Sequence, residues 1–371
     1  MKYYIISGEA SGDLHGSNLI KQLKIQDKNA EIRCWGGDLM EQAGGILVTH
    51  YKERAFMGFA EVFTNLSKIL GFIKFCKADI LEFNPDKLIF IDNSGFNLRI
   101  AKWAKAHNFN TIYYISPQVW ASRAGRVKAI KRDIDEMYVV LPFVKDFYKK
   151  FDYNVNFVGH PLLDAISNRN KVSELEFRKN NNLSNKPIIA LLPGSRKQEI
   201  QKLLSIMLKM PAKFPDFEFV IAGAPSQDFE FYKPFITQNN VQFVSNKTYD
   251  LLSISYAAIV TSGTATLETA LFKVPEIVCY KTSWISYQIG KRLINLKFIS
   301  LVNLIMDKEV VKELIQNDFN EESLEKELVK ILDDTNRARL FLDYYDLEQK
   351  LGGKGASKKT VELILKNSKT T

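Results

Sequence analysis

The segment Pro193-Gly194-Ser195-Arg196 follows directly on the apolar run Ile188-Ile189-Ala190-Leu191-Leu192 and precedes an amphipathic stretch from Lys197 to about Lys213. That order reads as strand, tight turn, helix. Such a turn aims free backbone N–H groups and the positive end of a helix dipole at whatever lies in front of it. Arg196 adds a guanidinium that can grip phosphate oxygens bidentately. The chemistry on offer is anion binding at Gly194, Ser195 and Arg196; an Arg that only finishes a turn is the plainer alternative. The arrangement recurs after Ala257-Ala258-Ile259-Val260-Thr261, where Ser262-Gly263-Thr264-Ala265-Thr266-Leu267-Glu268 opens another helix. Gly263 lets the backbone approach a ligand, and Thr264 or Thr266 can cap the helix and donate to phosphate. Glu268 either accepts hydrogen bonds from ribose hydroxyls or closes a capping box and only stabilises the helix.

Asp92 ends the run Lys87-Leu88-Ile89-Phe90-Ile91. A carboxylate at the carboxyl end of a strand projects toward a ligand and suits a general base, while capping a helix that begins near Ser94 or Gly95 is the competing role. A different kind of chemistry is carried by the stretch from Phe56 to Lys77, in which Phe56, Met57, Phe59, Phe63, Phe72 and Phe75 are the bulky members. Glu61, Lys68 and Lys74 interrupt it, so it does not span a bilayer. It reads either as an ordinary core helix or as an amphipathic helix that inserts shallowly, its lysines toward anionic headgroups.

Elements must hold these residues in place. Runs rich in Tyr, Ile, Val and Phe at 3–7, 31–35, 87–92, 111–115 and 136–141, then 187–192, 217–222, 241–244, 257–261 and 275–279, alternate with longer amphipathic stretches. This is the pattern of parallel sheets. The polar stretch from Ser167 to Lys186 separates the two sets and is assigned to the interdomain connection, and after about residue 308 the pattern reads as helix to the end. A length of 371 residues exceeds what one core usually supports. Two doubly wound domains with ligand loops at the carboxyl ends of their strands are therefore expected. The boundaries are 1–168, 169–340 and a helical segment 341–371 that either stays with the second domain or packs back on the first.

The composition, 46% hydrophobic and 25% charged, is that of an ordinary globular protein. The net charge of +9 points to an anionic partner, whether nucleic acid, a phosphorylated substrate or a membrane surface, or else to a solvated basic exterior. Cys34, Cys76 and Cys279 have neither disulfide nor zinc-site spacing, which fits a reducing cytoplasm. The apolar run at the start is too short for a signal-peptide core.

Seven segments in order resemble the lipid-A-disaccharide synthases. They are Ser7-Gly8-Glu9-Ala10-Ser11-Gly12-Asp13-Leu14-His15-Gly16, Met57-Gly58-Phe59-Ala60-Glu61-Val62, Ile91-Asp92 with Gly95-Phe96-Asn97, Ser116-Pro117-Gln118-Val119-Trp120-Ala121, Val158-Gly159-His160-Pro161, the Pro-Gly-Ser-Arg turn and the Ser-Gly-Thr helix. The resemblance runs from residue 5 to about 357. It implies an α/β fold of two Rossmann-like domains facing a cleft (GT-B type), with C-terminal helices. It also implies transfer of 2,3-diacylglucosamine from its UDP conjugate to 2,3-diacylglucosamine 1-phosphate, giving the β-1,6 disaccharide 1-phosphate and UDP in lipid A biosynthesis. The family inverts the anomeric centre without a metal or other cofactor. It acts at the cytoplasmic, anionic face of the inner membrane of a Gram-negative bacterium, with nucleic acid no partner. Oligomer formation stays open.

With that implication, Asp92 becomes the candidate base for the acceptor 6-hydroxyl. Gly194, Ser195, Arg196, Ser262, Gly263, Thr264 and Glu268 become the UDP site, joined by Lys281 and by Asn303 in a uridine-side loop; Arg292 is a weaker candidate. Gly8, Ser11, Asp13, His15, Asn97 and Gln118 fall to the acceptor side, and His160 is the other histidine within a shared motif. The sequence departs from the family at Asn93-Ser94, at Ser122 and at Val302, which stands where a Pro is usual. Asp133-Ile134-Asp135 resembles the metal signature of another glycosyltransferase fold, but it precedes a strand and reads better as a charged helix end. Gly352-Gly353-Lys354-Gly355-Ala356-Ser357 lacks the spacing of a phosphate loop. The rival readings are another UDP-N-acetylglucosamine-using transferase or epimerase of this fold, and a non-catalytic basic protein that binds membrane or nucleic acid.

Overall fold

A computed structural model describes residues 1–54, 66–122, 124–283, 287–288, 292 and 296–368. The chain divides into two compact units, Met1–Asn168 with Leu351–Thr371, and Arg169–Lys350.

In the first unit β1 (Lys2–Ile6), β2 (Glu31–Gly36), β3 (Ile46–His50), β4 (Lys87–Ile91), β5 (Thr111–Tyr114), β6 (Glu136–Val139) and β7 (Asn156–Phe157) form one sheet in the order β3-β2-β1-β4-β5-β6-β7. All its pairings are parallel. The central strands β1 and β4 are buried on both faces, and so they read as continuous apolar runs rather than alternating ones. The second unit repeats the scheme with β8 (Ile188–Leu192), β9 (Glu218–Gly223), β10 (Val241–Ser245), β11 (Ser255–Thr261), β12 (Glu276–Tyr280) and β13 (Lys312–Ile315). Their order is β10-β9-β8-β11-β12-β13, again parallel throughout.

In each sheet the strand order reverses once, between β1 and β4 and between β8 and β11. Connections leave in opposite directions on either side of such a point, which opens a crevice at the carboxyl ends of the two strands. The turns following β1, β4, β8 and β11 are the ones singled out by their chemistry in the sequence.

Three strands depart from the sequence expectation. β3 and β7 are edge strands, one only partly buried and the other two residues long. β13 lies in the region expected to be wholly helical; its Lys312-Glu313-Leu314-Ile315 is a half-charged edge strand without an apolar run. The polar connection also holds more structure than its composition promised. Ser173 caps the helix Glu174–Asn180 by accepting from the Glu176 N–H, and Phe177 and Leu183 join the core of the second unit.

The helix Asp334–Lys350 runs through residue 340 and belongs to the second unit; the chain rejoins the first at Leu351. There the Asp164 carboxylate accepts from the backbone N–H groups of Gly355 (2.6 Å) and Ser357 (3.1 Å), at the start of the helix Ala356–Ser368. The glycine-rich segment before that helix therefore receives an internal carboxylate where a phosphate loop would receive its ligand. Asp133 is bound by Arg132, and Asp135 by Lys105 and Thr111, so both acids of the Asp-x-Asp segment are engaged in ion pairs or hydrogen bonds. The three cysteines are buried and form no disulfide.

Candidate active site

Asp92 and Asn93 leave β4 in consecutive left-handed conformations, with φ of +45° and +40°. Asp and Asn tolerate this region better than other side chains, yet each such residue still costs on the order of 1 kcal/mol. Asn97 holds the turn. Its fully buried side-chain amide donates to the carbonyls of Asp92 (2.9 Å), Ile91 (3.1 Å) and Ile6 (3.4 Å), and the Tyr113 hydroxyl also donates to the Asp92 carbonyl. Asn97 thus fastens the ends of β1 and β4 together. Its side-chain nitrogen is thus spent on main chain.

Gly8 lies against Asn93 so closely that an added Cβ would stand 2.0 Å from the Asn93 Nδ2. The β1 and β4 turns therefore meet here, and Glu9 stands beside Asp92. Crowding by protein pushes the Asp92 carboxyl up to about 6, Glu9's like charge adds to the rise, and a hydrogen bond from the Asn93 backbone opposes it. Asp92 remains exposed, so it is crowded rather than sealed from water.

The other acceptor-side candidates disperse. Ser11 is exposed in the first turn of the helix Ala10–Gln26. Asp13 is buried and accepts from the N–H groups of Gly37 (2.8 Å), Met40 (3.0 Å) and Leu39 (3.2 Å), capping the helix Asp38–Gln42. His15 is buried near His160 and Asp164, where burial lowers its pKa to about 4 and that of His160 to about 3. It belongs to the packing of the helices Ala10–Gln26, Pro161–Asn168 and Ala356–Ser368. Gln118 is exposed, three residues beyond Ile115, a β-branched residue held at φ +63°.

In the second unit, Gly194 adopts φ +105°, and the helix Lys197–Met207 starts after Arg196, which is exposed. Glu199, in the first turn of that helix, accepts from the Ser195 N–H (3.4 Å) with one oxygen and from the Thr261 hydroxyl (3.3 Å) with the other. Ser226 donates to the Ser195 carbonyl at 2.8 Å.

After β11, Gly263 is the N-cap of the helix Thr264–Leu271, with Thr264 exposed and without a side-chain cap bond. The capping-box alternative for Glu268 falls away, because its carboxylate accepts from the Tyr249 hydroxyl at 2.8 Å. Burial raises its pKa and that hydrogen bond opposes the rise. Ser262 donates to the Ile299 carbonyl at 2.9 Å. Lys281 donates to the Phe319 carbonyl at 3.3 Å. Asn303 is fully buried: its amide donates to Val311 O and Glu313 Oε1 and accepts from the Val310 and Val311 N–H groups. It fastens the helix Leu301–Met306 to β13 and has no hydrogen-bonding atom left for a ligand. Val302 is buried in the same helix. Arg292 is exposed.

Of the apolar stretch, Phe56, Met57, Phe59 and Phe63 lie outside the described residues. Phe72 and Phe75 on the helix Leu66–Phe83 both pack against Trp35, with ring centroids 6.3 and 5.8 Å away, although Phe75 stays 49% exposed and Leu70 55% exposed. No helix among the described residues is long and apolar enough to cross a membrane.

Comparison with known proteins gives the family. The family model described as lipid-A-disaccharide synthetase matches residues 3–366. The chain belongs to the lipid-A-disaccharide synthase family. It is 36% identical to the lipid-A-disaccharide synthase of Geobacter sulfurreducens, covering 97% of this chain and 96% of that protein. It is also 36% identical to that of Coxiella burnetii, covering 90% and 89%. It is a glycosyltransferase with lipid-A-disaccharide synthase activity, acting on lipid A precursors. Among solved structures, it is similar to a UDP-GlcNAc 2-epimerase from Neisseria meningitidis bound to UDP-GlcNAc, with a TM-score of 0.70 at 14% identity over 99% of this chain and 100% of that one. The glycotransferase of kitacinnamycin gives 0.66 at 12% identity over 98% of each chain. At these identities the likeness speaks to the GT-B type fold alone.

Glu9, Glu199 and Tyr249 were not singled out in the sequence, and Asn93 was noted only as a departure from the family. Glu9 and Glu199 each stand within three residues of a selected position, so a search for charges flanking each turn finds them. Tyr249 comes from a separate helix, Thr248–Ile254, and has no local signal.

Proposed function

We propose that the enzyme transfers 2,3-diacylglucosamine from its UDP conjugate to the 6-hydroxyl of 2,3-diacylglucosamine 1-phosphate in a single inverting displacement. Asp92 takes the hydroxyl proton as O6 attacks the anomeric carbon, the bond from that carbon to the UDP oxygen breaks, and the electron pair leaves with UDP. The observation that carries this reading is the Asp92 carboxyl itself, exposed on a strained turn and held at about 6. Near neutral pH it is mostly ionised, yet more basic than an ordinary carboxylate, which suits a general base.

Arg196 and the backbone N–H groups of the Gly194–Arg196 turn bind the diphosphate and stabilise the charge that develops on it. Ser262, Gly263 and Thr264 approach the same group, Glu268 accepts from the ribose hydroxyls, and no metal ion takes part. Gly8 and Glu9 shape the acceptor side, with Ser11 and Gln118 exposed for the acceptor sugar. Asn97, Asp13 and Asn303 act by positioning backbone. Leu70 and Phe75 on the helix Leu66–Phe83 favour peripheral contact with an anionic bilayer, as does the net charge of +9.

The test supplies both acylated substrates and follows the disaccharide 1-phosphate by mass spectrometry, with Asp92→Asn, Arg196→Ala and added chelator as separate arms. Product from the unmodified enzyme, unchanged by chelator and lost in Asp92→Asn, is expected. Full activity in Asp92→Asn removes the base assignment. Flotation with anionic vesicles tests the membrane contact, and Leu70→Ser with Phe75→Ser should reduce recovery in the vesicle fraction.

A further inference from the structure

The Ser195 peptide is held from both ends: Ser226 donates to its carbonyl and Glu199 accepts from its N–H. Glu199 does more than the helix-start glutamate of a capping box, which would bond back to the N-cap residue and stop there. Its second oxygen crosses to the hydroxyl of Thr261, the last residue of β11. Because Leu192 pairs with Val260, the chains that leave β8 and β11 do so side by side, and Glu199 bridges them at the point where the strand order reverses. Gly194 is shaped to the same carboxylate, since a Cβ there would come within 2.3 Å of Glu199 Oε2.

We infer that Glu199 is a positioning residue for the donor diphosphate, a brace that ties the Pro193–Arg196 turn to the end of β11 and so keeps the two anion-binding turns in register. The inference rests on the reading of those turns as the donor site. A carboxylate beside a diphosphate would ordinarily repel it. Here the charge is spent on donors from both turns and on the positive end of the helix Lys197–Met207, so the brace sits within an anion site without emptying it.

Isothermal titration of the full-length enzyme with UDP, together with steady-state kinetics in both substrates, tests the inference. Glu199→Ala is expected to weaken UDP binding and raise the donor KM about tenfold, with the acceptor KM unchanged. Glu199→Gln, which keeps an acceptor, should recover part of the loss. Thr261→Val should weaken UDP binding by itself but add nothing in the Glu199→Ala background, because both changes cut one bridge. Unchanged or tighter UDP binding in Glu199→Ala overturns the inference, tighter binding meaning that the carboxylate competes with phosphate. Additive losses overturn it too. If Glu199→Ala fails to fold, Glu199→Gln and Thr261→Val carry the same test. Arg196→Ala separates the two levels. If it leaves UDP binding intact, the donor-site reading itself fails; if it weakens UDP binding while the Glu199 variants do not, only the brace fails.

Discussion

The crevices at β1/β4 and β8/β11 have the same topology and opposite electrostatics. At the first, two carboxylates, Glu9 and Asp92, are left near each other, and the Asp92 pKa rises in consequence. At the second, Glu199 is satisfied by Ser195 and Thr261 and Glu268 by Tyr249, while Arg196 stays exposed. A doubly wound sheet supplies the crevice in both cases, but the two or three residues after each strand decide whether it presents a carboxylate or a guanidinium. The cost is also distributed differently. Non-glycine residues bear the left-handed backbone at Asp92 and Asn93, whereas Gly194 absorbs it in the second unit.

Removing the distinctive group from each crevice breaks the comparison most directly. Asp92→Asn should lower kcat by about 10²–10⁴-fold, the usual contribution of a general base. It should not lower the melting temperature at pH 7.5. A carboxyl with a raised folded-state pKa destabilises the fold above that pKa, and the amide removes this penalty. Arg196→Ala should weaken UDP binding by roughly 10–100-fold, the range of a lost charge-assisted hydrogen bond. Calorimetry with UDP reads this out, and Asp92→Asn should bind UDP normally in the same experiment.

The paired glycines sharpen the contrast. Gly194→Ala combines a forbidden φ with a clash on Glu199, so a loss of about 1–2 kcal/mol, or roughly 3–6 °C in the melting of the second unit, should accompany weaker UDP binding. Gly8→Ala needs no unusual φ, but its Cβ would stand 2.0, 2.5 and 2.8 Å from Nδ2, Cγ and Cβ of Asn93, so the Asn93 turn itself must give. Its melting temperature should fall by less than that of Gly194→Ala, with the larger effect appearing in kcat as Asn93 shifts and takes the Asp92 turn with it.

Much of this contrast was legible in the sequence. The apolar runs of β1, β4, β8 and β11 are buried on both faces and announce themselves, and the turns that follow carry the chemistry. Edge strands were harder: β13 reads Lys-Glu-Leu-Ile, and its place is set by pairing with β12 rather than by its own composition. Within the turns, residue type put forward Asp92 and Arg196 but could not separate a ligand contact from a backbone pin. Asp13, Asn97 and Asn303 all looked like binding residues because short polar side chains serve both purposes. What the structure adds is their burial and their bonds, which go to main chain except for the one that Asn303 gives to Glu313, and these depend on elements outside the turns. His15 is equally opaque in the sequence, since its neighbours come from residues 160–164 and the C-terminal helix.

The smallest expected effect bears on how the first crevice is tuned. The acid limb of kcat/KM reports the free enzyme's base, and with Asp92 at about 6 activity should rise through that pH as the carboxyl ionises. Glu9→Gln removes the like charge and makes ionisation easier, so the limb should move to lower pH. It should stop short of the ordinary carboxylate range, because crowding by protein, the larger cause, is untouched. A shift to higher pH would mean that Glu9 stabilises the ionised base, and no shift would mean that its charge is screened from it. A profile measured at low and at high salt makes the test stricter: screening should narrow the gap between the unmodified enzyme and Glu9→Gln, while the part of the shift that comes from desolvation persists.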